Sequence, residues 1–356
     1  MVVLGSTGSI GTNTLALCER YALPVEALVA GRNIDVLNEQ IARFSPRFVG
    51  IADANDRDKV RHDRVYVGQE GIAEIIAQSR SELVVNALVG FAGLKPTLAA
   101  IDAGKRVALA NKESLVVAGM FIDRTRLFAI DSEHFGLWYL LGDRPVSRLF
   151  ITASGGALRD WEIEAMRHAT FQEALAHPNW SMGAKITIDS ATMTNKLFEL
   201  LEAYWLFGIA RVDAVIERTS QVHALVEFVD GSTTAHIAGV DMKLPIAYAL
   251  GLPVSEPILP PIEPTQMGAI RFEPIDEQRY PIWQIRSHLL SHPHLGVVLN
   301  AANEIAIRKF QEGACDFFGM SETVLDAYKR FEAVHPTDID DIVRIDAEVR
   351  SYCDAT

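Results

Sequence analysis

Thr192, Asn195, Lys196 and Glu199 offer a hydroxyl, an amide, an ammonium and a carboxylate at spacings of three and four residues. In a helix such residues share a face. The face is either solvated or a place where chemistry is done. Its groups are mixed rather than alternating in charge, and it begins near an expected helix N-terminus, where free N–H groups and the dipole attract anions. Ser190, Asn195 and Lys196 then suit a phosphate, and Glu199 lies one turn further along. Met193, Leu197, Leu200, Leu201, Tyr204 and Phe207 recur at helical spacing as a core stripe. The spacing predicts one helix, capped by Asp189 or Ser190 and running to Gly208. Residues 185–188, short and β-branched, predict a strand before it. Residues 177–183, His-Pro-Asn-Trp-Ser-Met-Gly, set turn formers around Trp180 and Met182 and read as a lid.

Other residues of chemical interest lie at strand ends. Residues 1–4 are apolar and run into Gly5-Ser-Thr-Gly8-Ser-Ile-Gly11, after which a helix is expected to Tyr21. Strand, glycine-rich turn and helix suit a dinucleotide pyrophosphate; the alternative is a tight turn that binds nothing. Beyond the next strand, an NAD enzyme usually carries an acid for the ribose 2′-hydroxyl. This chain has Ala30-Gly31-Arg32-Asn33, and Arg32 would pair with a 2′-phosphate, which points to NADP(H) unless Arg32 is merely a surface residue. Ala110-Asn111-Lys112-Glu113-Ser114 follows another strand, either as ligand contacts or as ordinary helix capping. Asp131-Ser132-Glu133-His134 offers two carboxylates to a hard divalent cation, or else a capping box. Ser154-Gly155-Gly156 permits close backbone approach to a ligand, or makes a plain turn.

Composition narrows the class. The chain has 356 residues, is 49% hydrophobic and 22% charged, and carries a net charge of −13, as a soluble protein of two or three domains does. No apolar run approaches the roughly 20 residues that span a bilayer. The chain enters a strand at once, which argues against a signal or transit peptide. Cys18, Cys315 and Cys353 form neither a pairing pattern nor a metal spacing, so a reducing cytoplasm is expected. The acidic balance without a basic tract argues against nucleic acid. An acidic protein that binds anions must concentrate cations locally, which draws attention to Lys112, Lys185, Lys196 and Arg32.

These groups must be positioned by an α/β fold. Helices at 34–44, 69–78 and 94–103 alternate with strands at 25–29, 48–51, 83–87 and 106–109, which makes a doubly wound parallel sheet. Strands at 127–130 and 150–153 and a helix at 160–176 follow. Strands at 212–217, 222–229 and 233–237, with an Asp230-Gly231 hairpin, predict an antiparallel part of a mixed sheet whose edge could serve dimerisation. His223 and His236 are expected to be packed within it. Prolines 253, 257, 260, 261 and 264 make a stiff linker. Helices near 281–290, 297–312, 319–331 and 338–352 predict a small bundle.

Taken together, GSTGSIG (5–11), LANKESLV (109–116), DSEH (131–134), TASGGA with Arg159-Asp160, HPNWSMG (177–183), DSATMTNK (189–196) with Glu199, LPIAYA (244–249) and LNAANE (299–304) resemble one family, 1-deoxy-D-xylulose 5-phosphate reductoisomerase of the non-mevalonate isoprenoid pathway. They occur in the family's order and cover nearly the whole chain. The resemblance implies metal-dependent rearrangement of 1-deoxy-D-xylulose 5-phosphate, then NADPH reduction to 2-C-methyl-D-erythritol 4-phosphate. It implies Mg²⁺ or Mn²⁺ on Asp131, Glu133 and Glu199. It implies a phosphate held by Ser154, Ser190, Asn195 and Lys196 with His177 close by, and substrate hydroxyls on Ser132 and Lys112, Lys112 also serving proton transfer. Trp180 would cover the substrate. Thr7, Gly8, Ser9, Ile10, Gly31, Arg32, Asn33, Asn111, Glu113, Met182 and Gly183 would bind NADPH, Met182 against the nicotinamide. His134 and His177 would position rather than act as bases. The expected domains are a Rossmann-like NADPH domain (1–130), a catalytic and dimerisation domain with the lid (131–253), a linker (254–279) and a C-terminal helical domain (280–356), in a cytoplasmic homodimer. The chain departs from the family at Glu217-Arg218-Thr219, where His-Pro-Gln is common, at Ala184, where many members have Arg, and at Ala157-Leu158 in place of Pro-Phe. A metal-independent NADP-dependent semialdehyde or hydroxy-acid dehydrogenase would need only the cofactor domain. A non-enzymatic NADPH-sensing protein would be favoured by loss of an acid at 131, 133 or 199, and all three are present.

Overall fold

Val2–Leu4 (β1) is apolar at every position, as a parallel strand covered on both faces must be. In the computed structural model, which describes residues 1–252 and 255–356, it lies inside a seven-stranded parallel sheet. The chain groups into two compact units, one of Met1–Ser114, Asp123–Ser132 and Asp241–Pro260, the other of Leu115–Ile122, Glu133–Val240 and Pro261–Thr356. Pro253 and the expected boundary at 253 and 254 lie outside the described residues.

In the first unit, β1 leads through the glycine turn to α1 (Ser9–Arg20), and β2 (Ala27–Ala30), α2 (Ile34–Phe44) and β3 (Phe48–Ile51) follow. Then come β4 (Val65–Val67), α3 (Gly68–Gln78), β5 (Leu83–Asn86), α4 (Leu94–Asp102), β6 (Arg106–Leu109), the first residues of α5 (Lys112–Ala118), which passes into the second unit at Leu115, and β7 (Leu127–Ala129). The strand order is β4-β3-β2-β1-β5-β6-β7. The sheet is therefore doubly wound, and β1, between β2 and β5, flanks the point where the order reverses, which is where ligands bind in such sheets. The short edge strand β4 has no sequence pattern that announced it. Val3, Leu15, Leu28, Leu37, Val49 and Val85 are among the buried residues of this unit's core.

The second unit contains α6 (Ser132–Leu140), β8 (Val146–Ala153), α7 (Ile163–Met166), α8 (Phe171–Ala174), α9 (Ala184–Thr192), α10 (Thr194–Phe207), β9 (Val212–Ile216), β10 (Val222–Phe228) and β11 (Thr233–Ile237). Its sheet is mixed, in the order β11-β10-β8-β9, with β10 antiparallel to β8 and β11 and β8 parallel to β9. The hairpin turns at Asp230-Gly231, where Gly231 has φ +88°.

Three sequence expectations need correction here. Residues 185–188 are helical, not a strand. The β-branched propensity of Ile186, Thr187 and Ile188 yields to a Lys185 Nζ bond to the Asp189 carboxylate at 2.8 Å and to burial of Thr187 and Ile188. The single helix to Gly208 is in fact two, broken at Met193, whose φ is +73°. A left-handed Met costs on the order of 1 kcal/mol, offset by burial of its side chain, which is 1% exposed. The helix expected at 160–176 is instead the two single turns α7 and α8, the second opened by a Thr170/Glu173 capping box.

Lys243–Ala249 forms α11, which packs with α1 in the first unit and was not expected as a helix. The remaining helices are α12 (Arg286–Ser291), α13 (Gly296–Gln311), α14 (Phe317–Arg330) and α15 (Ile339–Ala355). The expected helix at 281–290 is a 3₁₀ turn, Pro281–Ile285, with Pro281 at its start, followed by α12. Asp316 and Asp338 cap α14 and α15 through their carboxylates, at 2.7 and 2.8 Å. No helix among the described residues is long and apolar enough to cross a membrane.

The glycine turn sets a direct test. A Cβ on Gly11 would lie 2.2 Å from the Gly5 carbonyl oxygen, so backbone must move to admit it. Gly11→Ala is expected to destabilise the chain by about 1–3 kcal/mol, as overpacking does. An unchanged unfolding midpoint in thermal denaturation would contradict the turn geometry.

Candidate active site

The polar face of α10 is not solvated. Thr194, Asn195, Lys196, Glu199 and Glu202 are all buried, Glu199 and Glu202 to 1% exposure. The break at Met193 gives α10 its own N-terminus, so Asn195 and Lys196 fall in a first helical turn. Ser190 lies instead in the last turn of α9. Thr192 precedes the break and does not share the α10 face; its hydroxyl pairs with that of Thr194 at 2.9 Å.

At the end of β8, Gly155 and Gly156 have φ of +89° and +74°. A Cβ on Gly156 would come within 2.7 Å of Ser190 O, so this turn packs directly on the end of α9. Ser154 is thereby brought close to Ser190. Ser154 Oγ lies 2.8 Å from His177 Nε2 and accepts the Gly156 N–H at 3.1 Å. His177 Nδ1 accepts the N–H groups of Asn179 and Trp180, at 3.1 and 2.9 Å. An acceptor at Nδ1 places the proton on Nε2 in the neutral ring. Nε2 then donates to Ser154, whose own hydrogen remains available to a ligand. Burial first, then the cations Arg159 and Lys196, depress the His177 pKa to about 4. The Trp180 ring meets His223 edge-on at 6.2 Å, and Met182 and Trp180 are half-buried while Gly183 caps α9. His223 and His236 are buried in the mixed sheet, as expected.

Lys196 collects the acids. Its Nζ donates to Glu133 Oε1 at 2.8 Å and to Thr152 O at 2.7 Å, and it pairs with Glu199. Asn195 donates to the other Glu199 oxygen. Two carboxylates facing one cation, Glu199 buried and Glu133 half-buried, form a hard-oxygen donor set, the kind a divalent ion takes, and the ammonium stands where positive charge is needed. His134, 1% exposed, directs Nε2 to Glu199 O at 2.9 Å and Nδ1 toward Glu202 at 3.7 Å. Its ring is thus engaged with the backbone of α10, which suits positioning.

In the first unit, Asp131 is buried and its Oδ2 accepts from Lys112 Nζ at 2.9 Å; Ser132, also buried, opens α6. Thr7, Gly8, Ser9 and Ile10 form the turn into α1, with Gly8 as N-cap. Gly31, Arg32 and Asn33 are exposed beyond β2, and the Asn33 side chain caps α2. Asn111 is fully buried. Its amide donates to Leu88 O and Gly90 O, each at 2.9 Å, and to Glu113 at 3.0 Å. The side chain of Asn111 therefore holds its own turn together.

The chain matches three family models in order. Residues 1–119 match 1-deoxy-D-xylulose 5-phosphate reductoisomerase, 127–207 match that enzyme's C-terminal domain, and 237–352 match the DXP reductoisomerase C-terminal domain. A protein of that name from Nautilia profundicola is 53% identical over 363 residues, covering 100% of this chain and 99% of its own. One from Wolinella succinogenes is 51% identical, with 99% of each covered. The chain belongs to the 1-deoxy-D-xylulose 5-phosphate reductoisomerase family. A DOX-P reductoisomerase crystallised with NADPH, fosmidomycin and magnesium superposes with a TM-score of 0.93 at 33% identity, over 99% of this chain and 97% of that one. The Zymomonas mobilis enzyme in complex with NADPH gives 0.88 at 34% identity, with the same coverage.

Several side chains packed around the residues described above have no site role in the sequence reading. Arg159 Nη1 donates to Ser154 O and to Arg218 O, each at 2.8 Å. Glu202 faces His134 from one turn beyond Glu199. Asp189, expected as a cap, is buried and held by Lys185 and, at 2.7 Å, by Asn303 of α13. Glu202 lies three residues beyond Glu199 on the same polar face of the helix, and that spacing is its signal. Nothing local marks Asn303 as the partner of Asp189.

The His177 geometry is open to measurement. A depressed folded pKa means that its contribution to stability is present above the unfolded value of about 6.5 and is lost as pH falls toward about 4. Imidazole ¹⁵N shifts should show His177 neutral, with Nδ1 unprotonated, from pH 8 down to about 5.5. Titration near 6.5 would refute the assignment.

Proposed function

We propose that this chain converts 1-deoxy-D-xylulose 5-phosphate to 2-C-methyl-D-erythritol 4-phosphate by rearrangement and NADPH-dependent reduction, in non-mevalonate isoprenoid precursor synthesis. The observation that supports it most is Glu199, buried on α10 and sharing one ammonium with Glu133, in a chain of this family. Ser154, Ser190, Asn195, Lys196 and His177 are the proposed phosphate contacts. Remote from the reacting carbons, phosphate binding can drive closure of the 177–183 segment over the substrate, with Trp180 as cover. Closure keeps water from the hydride step.

Asp131, Glu133 and Glu199 are the proposed metal ligands, and Mg²⁺ or Mn²⁺ held there would supply Lewis acidity to two substrate oxygens. Lys112, bonded to Asp131, is the proposed group to hold or move a proton at a substrate hydroxyl, with Ser132 as a second contact. Thr7 to Ile10, Gly31 to Asn33, Asn111, Glu113, Met182 and Gly183 are the proposed NADPH contacts, and Arg32 would select the 2′-phosphate. The division of labour at residues 130, 253 and 279, the homodimer and a cytoplasmic setting belong to the same reading. A metal-independent dehydrogenase would leave the buried acids of α10 without a purpose.

The decisive assay is NADPH oxidation with 1-deoxy-D-xylulose 5-phosphate, with and without Mg²⁺ or Mn²⁺; turnover unaffected by a chelator would favour the dehydrogenase. Glu199→Gln is expected to lower kcat by about 10²- to 10³-fold or more while NADPH affinity holds, and near-parental activity at limiting Mn²⁺ would sink the ligand assignment. Arg32→Ala should raise the KM for NADPH about 10- to 100-fold, the worth of a charge-assisted pair. Its KM for NADH should hold within about threefold. Equal catalytic efficiency of the parent chain with the two cofactors would rule out the role given to Arg32.

A further inference from the structure

Glu217, one of the positions at which the sequence departs from the family resemblance, is 1% exposed. A buried carboxylate must find donors, and the turn that follows supplies them. Glu217 Oε1 accepts from Thr219 N at 2.8 Å and Thr219 Oγ1 at 2.7 Å. Oε2 accepts from Gln221 N at 3.0 Å and Val222 N at 3.1 Å. The carboxylate thus folds residues 217–222 around itself, with Ser220 in the left-handed region at φ +56°. Arg218, where the family commonly has Pro, pairs with Asp160 at 2.6 Å and Glu273 at 3.3 Å.

This turn presents two acceptors to the 177–183 segment. Asn179 Nδ2 donates to Arg218 O at 2.8 Å and to Ser220 Oγ at 2.7 Å. The Arg218 carbonyl also receives Arg159 Nη1, which bonds Ser154 O. One carbonyl therefore ties the segment to the strand end that carries Ser154. Asn179 N is in turn one of the two donors that fix His177 Nδ1 as an acceptor.

We propose that Glu217 and Asn179 are positioning residues acting in series: the Glu217-centred turn anchors Asn179, and Asn179 holds the first limb of the 177–183 segment so that His177 keeps Nε2 on Ser154. Residues beyond Trp180 then move from a fixed base. The anchor is a statement about the free chain; its effect on turnover rests on the function proposed above.

The test is hydrogen–deuterium exchange on the full-length free chain for the parent, Asn179→Ala, Glu217→Gln and the double variant. Each single change should raise exchange across residues 177–184 about fivefold or more, as loss of about 1 kcal/mol of hydrogen bonding does. In the double variant the increase should not exceed that of the larger single, because the two act through one connection. Asn179→Ala should leave residues 217–222 as protected as in the parent, a readout that stands even if Glu217→Gln folds poorly. With substrate, Asn179→Ala should raise its KM about tenfold, with a smaller change in kcat and none in the KM for NADPH. Parental exchange at 177–184 in Asn179→Ala, or additive increases in the double variant, would overturn the anchor. Loss of protection in a chain that shows no turnover on the ketose phosphate would support the anchor and count against the activity alone.

Discussion

A lysine ammonium buried with two carboxylates is tolerable only when each charge finds a partner, because desolvation of the ions otherwise exceeds their attraction. Lys196 is 5% exposed and meets Glu133, Glu199 and the Thr152 carbonyl. Those groups come from α6, α10 and β8, so one ammonium fixes a helix start, a helix interior and a strand end together. Asn195 on the second Glu199 oxygen and His134 on the Glu199 carbonyl complete the set. Removing Lys196 would leave the buried Glu199 carboxylate without its cation. That pairing is why a polar face could be placed in the core at all.

The same logic explains where the cations of an acidic chain go. Lys112 meets Asp131, Lys185 meets Asp189 and Lys196 meets Glu133, each at 2.8 to 2.9 Å. Arg32 stays exposed beyond β2. With a net charge of −13, the chain cannot attract an anion by its overall field. Cations preset against acids are a local answer: each ammonium is held in place by a neighbouring carboxylate rather than by the chain's overall field.

What sequence made legible was what local pattern controls. The Gly5 to Gly11 turn, α2 at 34–44 and the Asp230-Gly231 hairpin each follow from a strand, a helix period or a dipeptide. The α9–α10 pair did not follow, because its cause is remote. The Gly156 turn presses on Ser190, and Asn303 of α13 reaches Asp189 from more than a hundred residues away. No spacing rule contains those contacts, so β-branched residues 185–188 looked like a strand and Met193 looked like mid-helix. Ser154 and His177 were named as neighbours through family resemblance; the tautomer that makes Ser154 a free donor appears only with the N–H groups of Asn179 and Trp180 in place.

That tautomer depends on how the chain satisfies a carboxylate at another strand's end: buried at 217, it demands donors on both oxygens. The chain meets the demand by curling residues 217–222 onto it, and the curl leaves the Arg218 carbonyl and the Ser220 hydroxyl facing Asn179. The turn's outward acceptors hold Asn179, whose N–H reaches the Nδ1 of the same His177 that meets Ser154 through Nε2.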